Sequence, residues 1–493
     1  MMNGTQKSDS SIRPVKQANK AGKSAAESAE ERDGIKRNEV LQRTDRTQSR
    51  AAVDHAQHRI REAVKRNSTE KLTALLHHIN VDVLRWAFMQ LRKDASAGVD
   101  KMTWADYAQG LEERLTDLHR RVHTGAYRAQ PSRRVFILKE DGRQRPLGIA
   151  ALEDKIVQQA LVVILTPIYE AEFLGFSYGF RPGRSQHDAL DALAFGIKAK
   201  KICWIVDADV SQFFDTLSHE WLIKFMEHRI TDHRVIRLVN KWLRAGVVEE
   251  GQRLETTRGV PQGATISPLL ANIYLHYVYD QWVSQWRKRH AQGDMIVVRY
   301  ADDSVAGFQY RRDAEKFLAD LRERLAKFSL TLHPEKTRLI EFGKYAAERR
   351  DSRGLSKPET FDFLGFTHIC GKKKDGKGFQ LLRKTARKRM KTKLREIKEE
   401  LRRHMHATVE EQGSWLGRVI RGYYAYYAVP TNIDVLSAFR HHVIVRWIRV
   451  LRRRSQRGRI TWKKMQRYVD LYLPSARILH PWPDERFRVK YSR

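Results

Sequence analysis

Two adjacent acidic residues interrupt an apolar stretch in the second half of the chain. Asp302 and Asp303 lie between the runs 295–299 and 304–308, which have the composition of short strands. Side chains along a strand point alternately to opposite faces, so two neighbouring acids in this setting fit best at a tight hairpin spanning 299–304. An ordinary polar turn is the alternative interpretation of this pair.

A third acid has a similar setting earlier in the chain. Asp209 follows the apolar run 202–208 and precedes the aromatic residue Phe214. Two strands that end in acids can bring three carboxylates together, and such a cluster would repel itself unless cations lay within it. Hard oxygen ligands favour Mg²⁺, and two such ions support phosphoryl transfer. The spacing therefore indicates a two-metal phosphoryl-transfer site.

Longer motifs accompany these acids and resemble those of a known family. Asp209 and residues 300–303 (YADD), in this order, resemble motifs A and C of the reverse transcriptase palm. Between them, residues 258–272 (RGVPQGATISPLLAN) resemble the block whose glycines let the backbone approach template and nucleotide. Residues 135–149 (VFILKEDGRQRPLGI) resemble the fingers hairpin of the family, although alone they would indicate only a basic turn.

Further segments resemble the proteins encoded by group II introns in particular. Four blocks match outside the motifs above: 94–103 (DASAGVDKMT), 176–185 (FSYGFRPGRS), 331–337 (TLHPEKT) and 361–367 (FDFLGFT). Residues 413–427 (GSWLGRVIRGYYAYY) and 445–462 resemble the maturase, or X, domain. The resemblance extends over about residues 66–490, which leaves only the N-terminal tail outside it.

The resemblance implies a role for each matching residue. Asp209, Asp302 and Asp303 would be the catalytic acids and would hold two Mg²⁺ ions, for which Mn²⁺ could substitute. The implied nucleotide-binding residues are Lys139, Arg145, Val210 through its backbone carbonyl, Phe214, Gln262 and Lys336. The Phe214 ring would exclude a 2′-hydroxyl and favour deoxynucleotides, with an ordinary core aromatic as the alternative. Asp207 and Asp215 are interpreted as structural, pairing with arginines or capping.

The elements that must position these residues alternate between strands and helices. We predict strands at 134–138, 202–208, 295–299 and 304–308, and helices near 151–171, 232–244, 267–285 and 312–328. Apolar spacing also predicts helical structure through 50–92, and helices at 380–405, 413–428 and 434–453. The expected fold class is α+β: a right-hand polymerase with fingers and a palm of antiparallel ferredoxin-like sheet, followed by an α-helical thumb/X domain.

These elements divide the chain into five predicted regions. They are a disordered basic tail at 1–46, an N-terminal helical extension and start of the fingers at 47–130, the fingers and palm at 131–366, the thumb/X domain at 367–473, and a tail at 474–493. The last tail either closes the X domain or forms a short DNA-binding segment. The missing cysteine pairs lead us to expect no endonuclease domain of the HNH type, so that insertion would use other means, such as single-stranded DNA at a replication fork.

The charge of the chain indicates a polyanionic partner. A formal charge of +35 exceeds what solubility requires, and no acid occurs between Arg440 and Arg467. We predict an RNA-binding face there, with a solvated charged face as the alternative; its arginines are Arg440, Arg446, Arg449, Arg452, Arg453 and Arg454. Only Cys203 and Cys370 are present, which excludes a disulfide framework and a cysteine-based zinc site.

The prediction for function is an RNA-directed DNA polymerase that also binds its group II intron RNA and assists splicing and mobility. Its partners would be the intron RNA, an RNA template with a DNA primer, dNTPs and a DNA target. We expect no membrane association and a bacterial-type cytoplasmic location on the nucleoid; monomer or dimer stays open. The alternatives are a splicing-only maturase, against which the intact acids argue, and a domesticated reverse transcriptase in phage defence or DNA repair.

Overall fold

A computed structural model of the chain describes residues 47–66, 70–138, 144–373, 375–454 and 460–491. The predicted N-terminal tail at 1–46 lies outside the described residues. In chain order the strands are β1 Ser132–Leu138, β2 Gln144–Ile149, β3 Trp204–Ala208, β4 Val247–Glu249, β5 Gln252–Leu254, β6 Met295–Tyr300, β7 Asp303–Phe308, β8 Arg338–Glu341, β9 Phe361–Phe363, β10 Phe366–Lys372 and β11 Phe379–Thr385.

The helices occupy the intervals between these strands. In the first half they are α1 at 47–66, α2 Val81–Gln90, α3 Trp104–Ala108, α4 Leu111–Thr124, α5 Leu152–Glu170, α6 Gln186–Ala199, α7 Phe213–Thr216, α8 His219–Glu227 and α9 His233–Arg244. In the second half they are α10 Ser267–Leu275, a π-helix His276–Asp280, α11 Gln281–Arg289, α12 Arg311–Ala326, α13 Lys344–Ser352, α14 Arg387–Arg403, α15 Val409–Tyr427, α16 Ile433–Arg453, α17 Trp462–Tyr472 and α18 Pro483–Tyr491.

The predicted helical run through 50–92 is wrong in its middle. Among the described residues 70–80, which precede α2, the helical structure is a 3-10 turn, Leu76–His78. The Asp232 carboxylate accepts the backbone N–H groups of Leu75 and Leu76 at 2.8 and 3.0 Å, and Leu72 bridges to Ile230. These distant partners satisfy the backbone polar groups that a continuous helix would have paired within itself.

The central sheet has the strand order β6-β7-β3-β8, and all its neighbours are antiparallel. The four strands predicted from the sequence are all present, three of them in this sheet. Helix α12 covers one face, where Val206, Ala306 and Phe308 join the large N-terminal core. Helix α6 covers the other face, where Ile205 and Val305 join a second core. The sheet is therefore buried on both faces. Its two ends, where the strands meet loops, are the parts that can contact a substrate.

A second sheet has the order β2-β1-β4-β5 and includes one parallel pair, β1 with β4. Strands β4 and β5 were not predicted, because each has only three residues and β5 is exposed throughout. The hairpin β1-β2 matches the predicted fingers hairpin, with Ile137 opposite Arg145.

The region after Phe366 begins with strands, so the helix predicted from residue 380 is wrong at its start. Residues 379–385 form β11, whose Leu381, Arg383 and Thr385 alternate inward and pair with β10. The helix α14 begins only at Arg387. Helices α14–α17 then enclose their own core around Trp447.

The final helix lies against the central part of the molecule. In α18, Phe487 stacks on Phe195 of α6 with ring centroids 4.7 Å apart, and Arg486 pairs with Asp191 at 3.3 Å. The preceding residues contact the C-terminal helices, since the backbone N–H groups of Leu479 and His480 donate to the Ala428 carbonyl. Among the described residues, no helix has the length and apolar character to cross a membrane.

Candidate active site

The hairpin between β6 and β7 carries two of the predicted acids. Tyr300 pairs with Asp303, which leaves Ala301 and Asp302 as the two turn residues. Ala301 has φ of +55°, a left-handed conformation that suits such two-residue turns. Asp302 is half-buried in the turn, and Asp303 begins β7.

The third predicted acid lies at the same end of the sheet. Strand β3 pairs with β7 so that Ala208 faces Ser304, and the strands are antiparallel. Asp209 follows Ala208 and Asp303 precedes Ser304, so the register places the two acids on neighbouring strands. The structure therefore brings the three predicted carboxylates to one end of the central sheet.

The electrostatics show that these carboxylates share one environment. Burial, together with the charges of Asp302, Asp209 and Asp207, raises the pKa of Asp303 to about 7, against the influence of Lys336. Burial also raises the pKa of Asp302, helped by Asp209 and opposed by Arg145 and Arg299. Asp303 is exposed where it borders a cleft. Negative charge is thus held together at a site that would gain from a cation.

A lysine supplies positive charge to one of these acids. The Lys336 ammonium lies 2.6 Å from Oδ2 of Asp209. The backbone positions this segment, because the His333 N–H donates to the Asp209 carbonyl at 2.8 Å and Val210 bridges to Leu332. In the parts of the chain that the structure describes, no three His, Cys, Asp or Glu side chains converge closely enough to enclose a metal ion. The carboxylates nevertheless fit a hard cation by charge and by ligand type.

The two acids interpreted as structural differ in their surroundings. Asp207 lies opposite Arg338 in the β3-β8 pair, and burial raises its pKa to about 6 against the influence of that arginine. Asp215 is exposed and accepts hydrogen bonds from Nε2 of Gln262, at 3.2 Å to each carboxylate oxygen. Asp215 therefore contacts a predicted nucleotide-binding residue, which the sequence interpretation missed.

A cavity of about 260 Å³ brings several predicted nucleotide-binding residues together. Phe214 and Gln262 line it, and Nε of Arg145 donates to Oε1 of Gln262 at 2.8 Å. The backbone is tight here: Gly259 has φ of +83°, and a Cβ atom on it would lie 2.8 Å from the Phe214 carbonyl oxygen. Lys139 lies outside the described residues.

A second cleft, of about 630 Å³, is lined by Asp303. Its lining combines acids, cations and aromatic rings from the central sheet and the C-terminal region: Asp303, Lys336, Asp362, Lys388, Arg389, Tyr426 and Tyr427 are among these residues. The sequence analysis identified the 361–367 block but gave no functional role to any of its residues. The basic residues at the start of α14 can be recognised in the sequence, but their proximity to Asp303 cannot.

The six predicted RNA-binding arginines do not share one environment. Arg449, Arg452 and Arg453 are exposed on α16. Four of the six arginines donate to backbone carbonyls of their own region: Arg440 to Leu473 and Pro474, Arg446 to His442, Arg452 to Ile460 and Arg454 to Ala407. These hydrogen bonds thus use part of the predicted surface to hold neighbouring segments of the C-terminal region together.

Comparison with known proteins agrees with this geometry. The family model for the reverse transcriptase (RNA-dependent DNA polymerase) domain matches residues 137–368. Protein YkfC of Escherichia coli K12 is 38% identical over 238 residues, which cover 45% of this chain and 62% of YkfC. The group II intron-encoded protein LtrA of Lactococcus lactis is 36% identical over 237 residues, covering 47% of this chain and 39% of LtrA.

A plant relative matches over a shorter stretch. The mitochondrial nuclear intron maturase 2 of Arabidopsis thaliana is 33% identical over 110 residues, covering 22% of this chain and 15% of that protein. The chain spans less than two thirds of each of these three relatives. The chain therefore contains a reverse transcriptase domain at 137–368 and is similar, over part of its length, to a group II intron-encoded protein and to an intron maturase.

Proposed function

We propose that this protein is an RNA-directed DNA polymerase of a group II intron, which also binds the intron RNA and assists its splicing and mobility. The observation that carries the proposal is the position of Asp209, Asp302 and Asp303 at one end of the central sheet. Asp303 lines the larger cleft, and Phe214, which follows Asp209 by five residues, lines the smaller cavity with Gln262. We assign the smaller cavity to the nucleotide and the larger cleft to the template and primer.

The proposed function gives the regions of the fold the names of a right hand. The β2-β1-β4-β5 sheet with the N-terminal helices would be the fingers, and the central sheet with its helices would be the palm. Helices α14–α17 would be the thumb and X domain, whose separate core supports this division. Residues 474–480 would pack against that domain, and α18 would pack against the palm.

In the proposed mechanism Asp209, Asp302 and Asp303, with the Val210 carbonyl, would hold two Mg²⁺ ions. Bound there, the ions would supply activation of the primer 3′-hydroxyl and stabilisation of the leaving pyrophosphate. Lys336 would give up its contact with Asp209, and its ammonium would become available to the pyrophosphate. Arg145 is held by Gln262, and Gln262 by Asp215, so the guanidinium is already oriented for a triphosphate.

A primer-extension assay on an RNA template with Mg²⁺ and dNTPs tests this proposal. We expect wild-type protein to make cDNA, and D302N/D303N to lose at least about a thousandfold of the rate, because several kcal/mol of charge stabilisation disappear. An exposed acid of α13 provides the control, D351N, which should retain the rate.

Binding and splicing of the flanking intron RNA should be measured with the same three proteins. The proposal expects D302N/D303N to keep both, since the basic surfaces are unchanged. Splicing assistance without any cDNA from the wild type would instead indicate a splicing-only maturase. Full cDNA synthesis by D302N/D303N would contradict the assignment of the acids.

A further inference from the structure

A buried arginine lies immediately beside the acidic hairpin. Arg299, on β6, is 1% exposed, and Asp280, its partner, is 0% exposed. The two side chains form a two-point ion pair, with Nε to Oδ1 at 2.7 Å and Nη2 to Oδ2 at 2.6 Å. Neither residue reaches either cleft that we assign to substrate.

The remaining donors of Arg299 are also used. Nη1 donates to Oδ1 of Asn272 at 3.1 Å and to the Ala301 carbonyl at 2.9 Å, and Nη2 donates to Oγ of Ser177 at 2.7 Å. A guanidinium group has five N–H donors, and all of them have a partner here. A buried network in which every donor is satisfied has one preferred geometry.

The acceptor of greatest interest is the Ala301 carbonyl. Ala301 is the turn residue with φ of +55°, and it directly precedes Asp302. A non-glycine residue in this region is strained and stays there only when its surroundings hold it. The Arg299 guanidinium supplies that hold from inside the protein.

The other partners fix the hairpin to two further segments. Asn272 of α10 also donates to the Gly179 carbonyl at 2.7 Å. The backbone of Arg299 pairs with the 176–178 segment, donating to the Phe176 carbonyl and accepting from the Tyr178 N–H, both at 2.9 Å. The hairpin, α10 and this segment therefore meet at one side chain.

The helix that carries Asp280 has an unusual form at this point. Residues His276–Asp280 form a π-helix between α10 and α11. The extra residue in its wide turn rotates the downstream helix α11 by about 100° relative to a continuous α-helix. Such interruptions are frequent at functional sites. Here the interruption ends on the residue that binds Arg299.

We propose that Arg299 and Asp280 form a positioning pair, which holds the Ala301 carbonyl and thereby sets the places of Asp302 and Asp303. The inference rests on the proposed polymerase function. Stability alone does not account for the pair, because an apolar pair of similar size in a buried site often stabilises a protein equally well. The pair instead provides a rigid geometry at a site where small displacements reduce the rate strongly.

A second buried pair in the same molecule offers a matched control. Arg383 of β11 and Asp191 of α6 are each 3% exposed and lie 2.7 Å apart. Their neighbours are Thr431 and Arg486, and neither residue contacts the hairpin. The two pairs share their chemistry and burial and differ in what they hold.

The test replaces each pair by an apolar pair, R299M/D280L and R383M/D191L, in the full chain. Folding is checked by circular dichroism and thermal unfolding. Hydrogen–deuterium exchange is then measured over 296–308, and primer extension gives kcat, KM for dNTP and the Mg²⁺ concentration at half-maximal rate.

For R299M/D280L we expect faster exchange at residues 300–303, a kcat lower by about 10- to 100-fold and a higher Mg²⁺ requirement, because a misplacement of about 1 Å can cost a hundredfold. The KM for dNTP should change little. The control R383M/D191L should match wild type in all four measurements. A purely structural pair would not move the Mg²⁺ requirement in a folded variant.

A conservative variant, R299K, is included in case R299M/D280L does not fold. Lysine keeps the charge opposite Asp280 but cannot form the planar five-donor network, so we expect the same direction of change. The proposal is overturned if folded R299M/D280L or R299K exchanges its hairpin like wild type and keeps its kcat and Mg²⁺ requirement. If wild-type protein makes no cDNA, the polymerase proposal fails, while the exchange rates still decide whether the pair holds the hairpin.

Discussion

At the scale of single residues, Phe214, for which we propose a sugar-selecting role, is the most informative. Phe214 is half-buried at the wall of the smaller cavity, whereas Phe213 beside it is buried in the core. The Val260 N–H donates to the Phe214 carbonyl at 2.7 Å, which holds the backbone at this position. The Phe214 ring packs edge-on against the Phe213 ring, with centroids 5.4 Å apart, so it has support from the core at the cavity wall.

We predict that F214V relaxes discrimination against ribonucleotides. Removing an apolar contact from a binding pocket typically changes selectivity by about 10- to 100-fold. The ratio of kcat/KM for dCTP and CTP in primer extension measures the effect. Unchanged selectivity in a folded variant would show that Phe214 is only a core aromatic.

At the scale of elements, the hairpin depends on the segment packed against its turn. Gly179 leaves no room for a side chain, because a Cβ atom there would lie 2.2 Å from the Ala301 nitrogen. Gly175, in the same segment, has open space around its Cβ position. Substitution of Gly179 therefore tests the contact between the segment and the hairpin. Substitution of Gly175 tests a change in the same segment that leaves this contact unaffected.

We predict that G179A lowers the free energy of unfolding by about 2 kcal/mol, the usual cost of overpacking a tight site, and that it also reduces primer extension. G175A should change stability by less than about 0.5 kcal/mol. Urea unfolding of both variants checks this expectation. Equal effects from the two substitutions would mean that the close approach at Ala301 is not needed.

The sheet formed by β9, β10 and β11 carries a buried histidine whose charge state matters for stability. Burial, with the charge of Arg383, lowers the pKa of His368 from 6.5 to about 3. The folded state therefore excludes a proton that the unfolded chain binds below pH 6.5. The stability contributed by neutral His368 is present above pH 6.5 and is lost as the pH falls towards 3.

We predict that His368 accounts for about 2 kcal/mol of the stability lost between pH 7 and pH 5. In H368Q that loss should be smaller by this amount, whatever the variant's stability at pH 7. The exposed residue His441 provides the control, H441Q. Urea unfolding at the two pH values measures the difference, and an unchanged pH dependence in H368Q would contradict the prediction.

At the scale of the whole molecule, the charge of +35 should dominate the affinity for nucleic acid. Four of the six predicted arginines donate to backbone carbonyls within the C-terminal region, which orients their side chains along the protein surface. Arg449 and Arg453 are exposed on α16 and are not among these four. These two are the members of the predicted surface best placed to contact phosphates.

We predict that R449Q/R453Q weakens binding of the intron RNA and lowers the slope of log affinity against log salt by about two, one for each lost phosphate contact. A filter-binding titration over a range of salt concentrations provides the slope. The control R287Q/R289Q removes the same charge from exposed positions of α11 and should change the slope less. Equal slopes for both variants would indicate that α16 is merely a solvated face.

The amino-acid sequence alone was enough to identify the three acids, the hairpin that carries two of them and three of the four strands of the central sheet; β8 was not predicted. These features are local: apolar runs that end in acids indicate strand ends, and a two-residue turn leaves little choice of geometry. The long motifs likewise indicated a reverse transcriptase, and the family model for that domain matches residues 137–368.

Only the tertiary structure decided which residues support those acids and which surfaces are free. The Arg299–Asp280 pair, the contact of Asp215 with Gln262 and the position of α18 on α6 each join residues that are distant in the chain. The same holds for the 3-10 turn at Leu76–His78, which depends on Asp232. Local sequence patterns indicate which face of an element is apolar. They do not indicate which distant polar group completes a hydrogen bond, and the geometry of this site depends on such distant partners.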